Sequence, residues 1–130
     1  MTNMYFLTSF MRLLPIIIGV SGAFSVLFGA WLAHAGDHLS AAETARVTSA
    51  HLYQFLHTIV LLVLYLGYQC QQKLVVALSA LLLTIGIILF SGSLYVKTFS
   101  SYSEISVLAP WGGICLALGW FVLLFLGKRK

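Results

Sequence analysis

Histidine, glutamine and tyrosine side chains gather where two hydrophobic runs of the sequence meet. His34 lies at the end of the first run, and Tyr53, Gln54 and His57 lie near the start of the second. On a helix, Tyr53 and Gln54 would be neighbours of His57, because they precede it by four and three residues. An imidazole in an apolar environment needs hydrogen-bond partners, which these neighbours could supply. The grouping indicates either a polar plug that fixes the helices or a binding or transport site.

The adjoining ends of the third and fourth hydrophobic runs carry residues of the same kind. Ser91, Ser93 and Tyr95 close the third run, and the segment Pro110–Gly113 opens the fourth. Because consecutive membrane helices run in opposite directions, all these ends are expected in one leaflet, the outer one by the charge distribution below. The candidate polar cluster or ligand site therefore comprises His34, Tyr53, Gln54, His57, Ser91, Ser93 and Tyr95.

More specific chemistry has weaker support in the residue pattern. Histidines on different helices could bind a metal ion, but no Asp, Glu or Cys lies at ligand spacing to join them. A bis-histidine haem would require His34 and His57 at one depth on facing helices. No arrangement of Ser, His and Asp, or of Cys and His, favours nucleophilic catalysis. We therefore expect no catalytic residue, no metal site, no cofactor and no enzymatic activity.

The elements that must position these residues are membrane-spanning helices. Of the 130 residues, 61% are hydrophobic and 8% are charged, whereas soluble domains carry about 25% charged residues. A helix needs about 20 apolar residues to cross the hydrocarbon core, and four stretches qualify, at about 13–33, 52–68, 74–96 and 105–126. We predict one domain over residues 1–130, an all-α integral membrane four-helix bundle. The lipid bilayer is its expected partner, and its net charge of +4 is too sparse for nucleic acid.

A helix start is predicted between the first two spans. Ser40 is followed three residues later by Glu43, the pattern of a capping box. A helix is therefore expected to restart over Ala41–Ala50, as a short interfacial helix or as an extension of the second span.

The basic residues predict the orientation of the four spans. Both termini and the turn at 69–73 must share one side of the membrane, and the two other connections share the opposite side. The first side holds five basic residues and no acid, and the second holds two basic residues with all three acids. By the positive-inside rule, both termini are expected in the cytoplasm. The first set is Arg12, Lys73, Lys128, Arg129 and Lys130, and the second is Arg46, Lys97, Asp37, Glu43 and Glu104.

A cleavable signal peptide is the alternative for the first run. Met1–Arg12, the apolar run and Ala33-His34-Ala35 imitate a signal peptide with its cleavage site. The run of about 20 residues exceeds the 7–15 residues that are usual for the apolar part of a signal peptide. We therefore expect a membrane span.

Small residues recur every four positions in the first and last spans. Ser21, Ser25, Gly29 and Ala33 form one such stripe, and Ala109, Gly113 and Ala117 form a shorter one. Small residues let a neighbouring helix backbone come close, within one chain or between copies in a homo-oligomer. The residues expected at helix contacts are Ser21, Ser25, Gly29, Ala33, Gly112 and Gly113.

Five short segments together resemble a known family. They are Gly29–His34, Tyr53–His57, Phe90–Tyr95, Pro110–Gly113 and Gly119–Trp120. In this order they resemble the YgdD-like family, also known as domain of unknown function 423, from about residue 19 to residue 126. The chain departs from the family pattern at Trp31, Leu32 and Thr58, and Leu32 is bulky where the family has glycine.

The resemblance implies a small, multi-pass, four-helix protein of the bacterial inner (plasma) membrane, without an assigned activity. It supplies no catalytic residue. The leading expectation is a non-enzymatic protein that self-associates or serves as an accessory subunit of a membrane complex. The alternative is a transporter or channel for a small molecule, an ion or protons that uses the polar cluster.

Overall fold

All regular secondary structure in the described part of the chain is helical. The computed structural model describes the backbone of residues 2–127 and the side chains of residues 4–34 and 37–127. Lys128, Arg129 and Lys130, used above to predict the orientation, lie outside the described residues. Four helical segments are long and apolar enough to cross a membrane, namely Met4–His34, Ala41–Cys70, Leu74–Phe99 and Ser103–Phe125. The prediction of an all-helical chain with four such segments is confirmed.

The helices follow one another with short connections. Two of the connections and the end of the last helix contain turns of 3₁₀ helix. We use the term third span for α3, the π turn and α4 together. The elements are α1 Thr2–Ala35, a 3₁₀ turn Gly36–His38, α2 Ala41–Cys70, α3 Leu74–Ile87, the π turn Ile88–Gly92, α4 Ser93–Phe99, a 3₁₀ turn Ser103–Val107, α5 Leu108–Val122 and a 3₁₀ turn Leu123–Phe125.

Helix α2 begins at the predicted capping box. The Glu43 N–H donates to Ser40 Oγ at 3.3 Å, and the Ser40 N–H donates to Glu43 Oε2 at 2.8 Å. From this cap the helix continues without interruption to Cys70. Residues 41–50 are therefore the first turns of the second helix rather than a separate helix. Of the two expected arrangements, the structure has the extension of the second span.

An apolar core holds the helices together at the end of the bundle where α1 begins. Leu14 of α1, Leu61 of α2 and Leu83 of α3 are fully buried in it, and Leu116 of α5 is nearly so. Two buried polar residues lie in the same half. Ser79 Oγ donates to the Gly119 carbonyl at 2.8 Å, and Thr84 Oγ1 donates to the Ala80 carbonyl at 2.8 Å. Each hydroxyl is thus satisfied by backbone.

Helices α3 and α5 approach each other closely through glycines. A Cβ added to Gly86 would lie 2.6 Å from Leu116 Cδ2, and one added to Gly119 would lie 2.6 Å from Leu83 Cδ2. A Cβ on Gly112 would overlap the backbone of Phe90. The structure therefore places Gly112, but not Gly113, at a helix contact within the chain. It adds Gly86 and Gly119, which the spacing of small residues did not single out.

The π turn interrupts the third span beside this contact. Over Ile88–Gly92 the chain accommodates one residue more than a regular helical turn, and the Ser93 N–H donates to the Phe90 carbonyl. Ser93 Oγ donates to the Phe90 carbonyl at 3.0 Å. The serine thus stabilises a local geometry that hydropathy does not reveal.

Candidate functional site

Gln54 joins three helices through its side-chain amide. It lies on α2 and is 5% exposed. Its Nε2 donates to the carbonyl and to Oγ of Ser21 on α1, at 3.1 and 3.0 Å. Its Oε1 accepts a hydrogen bond from the Tyr95 hydroxyl on α4 at 2.8 Å. One buried side chain therefore fixes the position of α2 relative to both neighbours.

The hydroxyls around Gln54 have defined donor directions. Thr58 Oγ1 donates to the Gln54 carbonyl at 2.7 Å, which uses its single proton. The 2.7 Å contact between Ser21 Oγ and Thr58 Oγ1 must therefore have Ser21 as its donor. We call Ser21, Gln54, Thr58 and Tyr95 the Gln54 network. Its hydrogen bonds connect α1, α2 and α4.

His57 is held by partners that fix its tautomer. Its Nδ1 lies 2.7 Å from the Tyr53 carbonyl, which can only accept, so Nδ1 carries the proton. The indole Nε1–H of Trp120 on α5 donates to His57 Nε2 at 3.1 Å. Because an indole nitrogen can only donate, Nε2 is the unprotonated nitrogen. The Tyr53 ring stacks on the imidazole, with centroids 5.9 Å apart.

His51 connects α2 to the small-residue stripe of α1. Its Nε2 donates to the Ser25 carbonyl at 2.8 Å. A Cβ on Gly29 would lie 3.1 Å from His51 Cε1, so only a small residue leaves room for this ring. Together with Ser21, these positions show that the first stripe packs against α2 within the chain. Ala33, the last residue of the stripe, is exposed.

The other members of the predicted cluster lie apart from the Gln54 network. Ser91 is buried and donates to the Ala50 carbonyl at 2.7 Å, linking the π turn to α2. Ser93 bonds within its own span, as described above. His34 is exposed at the end of α1 and takes part in none of the side-chain hydrogen bonds between described residues. Of the seven predicted residues, the structure brings Gln54 and Tyr95 into one network and Tyr53 and His57 into a second contact.

A groove opens between α1 and the third span, directly beside the Gln54 network. We call this space, of about 520 Å³, the lateral groove. Its floor is formed by α2, with Gln54 and Leu61. Its walls are almost wholly apolar, and the largest side chains in them are Ile16, Val20, Phe24, Ile87, Ile88 and Tyr95.

The lateral groove is closed at both ends and open at its side. At one end, α1 and α3 share the apolar core around Leu14 and Leu83. At the other end, the Tyr95 ring contacts those of Phe24 and Phe28, with centroids 5.6 and 5.1 Å apart. Between these contacts the helices diverge. In a bilayer this opening faces the lipid chains.

Comparison with known proteins identifies the family. A family model described as a protein of unknown function, DUF423, matches residues 28–113. The chain belongs to the DUF423 family. The resemblance inferred from five short segments is thereby confirmed. The matched region includes α2, the π turn and α4, which carry most of the site described above.

Relatives of this DUF423 chain are membrane proteins by name. A UPF0382 membrane protein of Haemophilus influenzae is 36% identical over 84% of this chain and 88% of its own length. The UPF0382 inner membrane protein YgdD of Escherichia coli K12 is 31% identical over 87% of each chain. A UPF0382 membrane protein of Staphylococcus epidermidis is 32% identical over 87% of this chain and 93% of its own. No solved structure matches the chain significantly.

The buried polar side chains described in this DUF423 protein are all hydrogen-bonded within the chain. Among the described residues, every buried side-chain nitrogen or oxygen has a hydrogen-bond partner. Both ring nitrogens of His57 are engaged, so a ligand or metal could use them only after Trp120 or Tyr53 is displaced. The arrangement can hold helices in register and can present fixed lone pairs.

Three partners of Gln54 and His57 are not predicted from the sequence of this DUF423 chain. Thr58 is noted above only as a departure from the family pattern, although its hydroxyl bonds to the Gln54 carbonyl and to Ser21. Ser21 was assigned to packing, whereas its hydroxyl and carbonyl also bind Gln54. Trp120 lies 63 residues from His57 and received no role, although it supplies the donor to Nε2. The only available signal was that Gln54 and Trp120 have polar atoms within otherwise apolar runs. Buried, such atoms need partners on another helix.

Proposed function

We propose that this DUF423 protein is a non-enzymatic membrane protein that binds an apolar molecule from the bilayer in its lateral groove. The observation that carries the proposal is the groove itself, a side-opening volume of about 520 Å³. Small-molecule sites typically enclose about 300–1,000 Å³ and are lined by apolar side chains. An unfilled space would forfeit dispersion contacts, so hydrocarbon from the surrounding membrane is the natural occupant.

The groove has the fixed geometry expected of a binding site. Its floor is held by the Gln54 network, and its outer end is held by the contacts of Tyr95 with Phe24 and Phe28. The π turn supplies Ile88, Ser91 and Gly92 to one wall, and such turns occur frequently at functional sites. A preformed site lowers the entropy cost of ordering its walls around a ligand.

Binding without reaction suits an accessory protein in the membrane. The interior of the described chain offers saturated hydrogen bonds rather than free acids, bases or nucleophiles. Association with a second copy or with a larger complex stays a prediction. It is favoured by Gly113 on α5, where an added Cβ would meet no atom within 4 Å, and by the exposed Ala117 one turn later.

Transport, the alternative expectation, has less support. The Gln54 network ends at Leu61 and Leu83, which are fully buried in the apolar core. Among the described residues of that half, the buried polar groups are those of Ser79 and Thr84, and both bond to backbone carbonyls. An ion or proton path would need further polar groups between the network and the far end of the bundle.

Groove binding is tested by photolabelling in lipid nanodiscs with hexadecane that carries a mid-chain diazirine. We expect labelling at Ile87, which lines the groove and is partly buried, to exceed labelling at outward-facing positions several-fold. Val20→Trp should fill the groove and suppress the labelling of Ile87. Leu27→Trp is the matched control, because Leu27 is exposed on the same helix and does not line the groove. Even labelling of all lipid-facing positions, unaffected by Val20→Trp, would refute the proposal.

Both termini are proposed to lie in the cytoplasm. Arg12 and Lys73 support this orientation, since they lie at the end of the bundle opposite to Arg46 and Lys97. Arg46 Nη1 and Lys97 Nζ donate to hydroxyls within the bundle, Arg46 to Thr98 at 3.2 Å. They are thus engaged locally, whereas Arg12 and Lys73 are exposed. Five basic residues against two satisfies the positive-inside rule.

The orientation is tested with the two native cysteines as starting points. In Cys115→Ser, the exposed Cys70 should react with a membrane-impermeant maleimide only after spheroplasts are opened. In the matched variant with Ser101→Cys and both native cysteines replaced, intact spheroplasts should be labelled. The reverse pattern would show that the termini face outward.

A further inference from the structure

Three hydroxyls line the third-span wall of the lateral groove, and the proton of each is already used in a hydrogen bond within the protein. Thr84 Oγ1 donates to the Ala80 carbonyl at 2.8 Å, and Ser91 Oγ donates to the Ala50 carbonyl at 2.7 Å. The Tyr95 hydroxyl donates to Gln54 Oε1 at 2.8 Å. A hydroxyl has one proton and two lone pairs. This wall therefore has only hydrogen-bond acceptors left to offer a ligand.

Tyr95 is the accessible acceptor of the three. Thr84 and Ser91 are almost completely buried, whereas Tyr95 is half-buried and lines the groove. Its neighbour Gln54 turns its amide nitrogen toward Ser21 on α1 and its oxygen toward Tyr95. The Tyr95 oxygen thus presents a lone pair whose orientation is fixed by the Gln54 network.

We propose that the ligand of the lateral groove is a neutral lipid alcohol whose hydroxyl donates a hydrogen bond to Tyr95 Oη. This inference rests on the proposed function and adds the chemical class of the ligand. An ether or carbonyl oxygen at this position would face another lone pair. A charged headgroup would find no counter-charge, because none of the described residues that line the groove is charged. A neutral hydroxyl on an apolar body meets both requirements.

The shared chemistry could come from two sources in a membrane. An aliphatic hydroxyl occurs on diacylglycerols and prenyl alcohols, and a phenolic hydroxyl occurs on prenylated hydroquinones. Either group donates one hydrogen bond and carries an apolar body into the groove. The geometry at Tyr95 requires a hydroxyl that donates a hydrogen bond. Competition between the two classes of lipid tests which of them supplies this hydroxyl.

The test compares two photoreactive probes in nanodiscs, diazirine-bearing hexadecanol and its methyl ether. They share the apolar chain and differ in the hydroxyl proton. We expect the alcohol to label Ile87 about fivefold more than the ether, the magnitude of one net hydrogen bond. Tyr95→Phe should reduce this ratio to about one while leaving ether labelling in place. Tyr53→Phe, the same change outside the groove, should leave the ratio unaltered.

A second variant separates hydrogen bonding from structural damage. Gln54→Leu removes the acceptor of the Tyr95 proton but keeps the Tyr95 oxygen. The hydroxyl can then donate to the ether, so the preference for the alcohol should fall, with labelling by both probes retained. A role of Tyr95 in packing alone predicts no such loss of discrimination. An unchanged ratio in either Tyr95→Phe or Gln54→Leu would overturn the assignment.

The outcomes for the two proposals are distinguishable. If neither probe labels Ile87 above outward-facing positions, groove binding itself fails. If both probes label it equally in the unaltered protein, groove binding stands and the lipid alcohol is refuted. Competition with dioleoylglycerol, with farnesol or with a decyl hydroquinone then identifies the source. Displacement of labelled hexadecanol by one class and not the other assigns it, and displacement by none counts against a specific hydroxyl site.

Discussion

Replacing Gly112 with alanine is expected to destabilise the folded protein by about 3 kcal/mol, the upper range for overpacking. The added Cβ would overlap the backbone of Phe90 in the π turn, and a backbone atom cannot move aside as the end of a side chain can. Helix α5 would have to separate from the third span. The free energy of unfolding can be measured in mixed micelles by titration with sodium dodecyl sulfate, followed by circular dichroism.

The adjacent glycine provides a matched control. A Cβ on Gly113 would meet no atom within 4 Å. Gly113→Ala should therefore leave stability unchanged or raise it by up to about 1 kcal/mol, since alanine is the better helix former. Both measurements use the same detergent. Equal destabilisation by the two substitutions would mean that α5 does not approach the π turn through Gly112.

Replacing Gln54 with alanine is expected to cost about 2 kcal/mol, from the loss of three interhelical hydrogen bonds at roughly 0.6 kcal/mol each. The lost bonds are the two to Ser21 and the one from Tyr95. The Tyr95 hydroxyl would lose its acceptor, whereas Ser21 would keep its bonds to Thr58 and Ser25. The same denaturant titration measures the change, and Gln69→Ala on the exposed end of α2 should be neutral.

A double-mutant cycle identifies the contribution of one bond within the network. Gln54→Ala and Tyr95→Phe remove opposite ends of the same hydrogen bond. Their effects on the free energy of unfolding should be less than additive, because the second substitution removes a partner that is already lost. Full additivity would show that the two side chains act independently.

Much of the architecture follows from hydropathy and local signals. Four apolar runs of sufficient length predict four helices, because backbone groups in lipid must be bonded internally. Ser40 and Glu43 predict the start of α2, because a capping box is a contact between residues three apart. Gln54 and Tyr95 were predicted as site residues, since both are polar groups near the ends of apolar runs. These features depend on one residue and its near neighbours.

The remaining features depend on which faces of the helices contact each other. Gly112 and Gly113 are adjacent and chemically identical, yet only the first meets the π turn. The bond between His57 and Trp120 joins residues 63 positions apart, and no local spacing encodes it. The lateral groove arises where α1 and the third span diverge between two contacts. A single sequence fixes none of these relative rotations, because apolar faces of similar composition can pack in several ways.

The π turn makes the site depend on the length of the third span as well as on its residues. Each residue of an α-helix adds a rotation of about 100°. If the same residues formed regular α-helix, the segment beyond them would rotate by about that angle, because the π turn takes up one residue more than a regular turn. Tyr95 would turn away from Gln54, although hydropathy and helical content would barely change. Loss of one residue within 88–92 would instead give regular helix without this rotation, so a relative that is one residue shorter here can keep the same site.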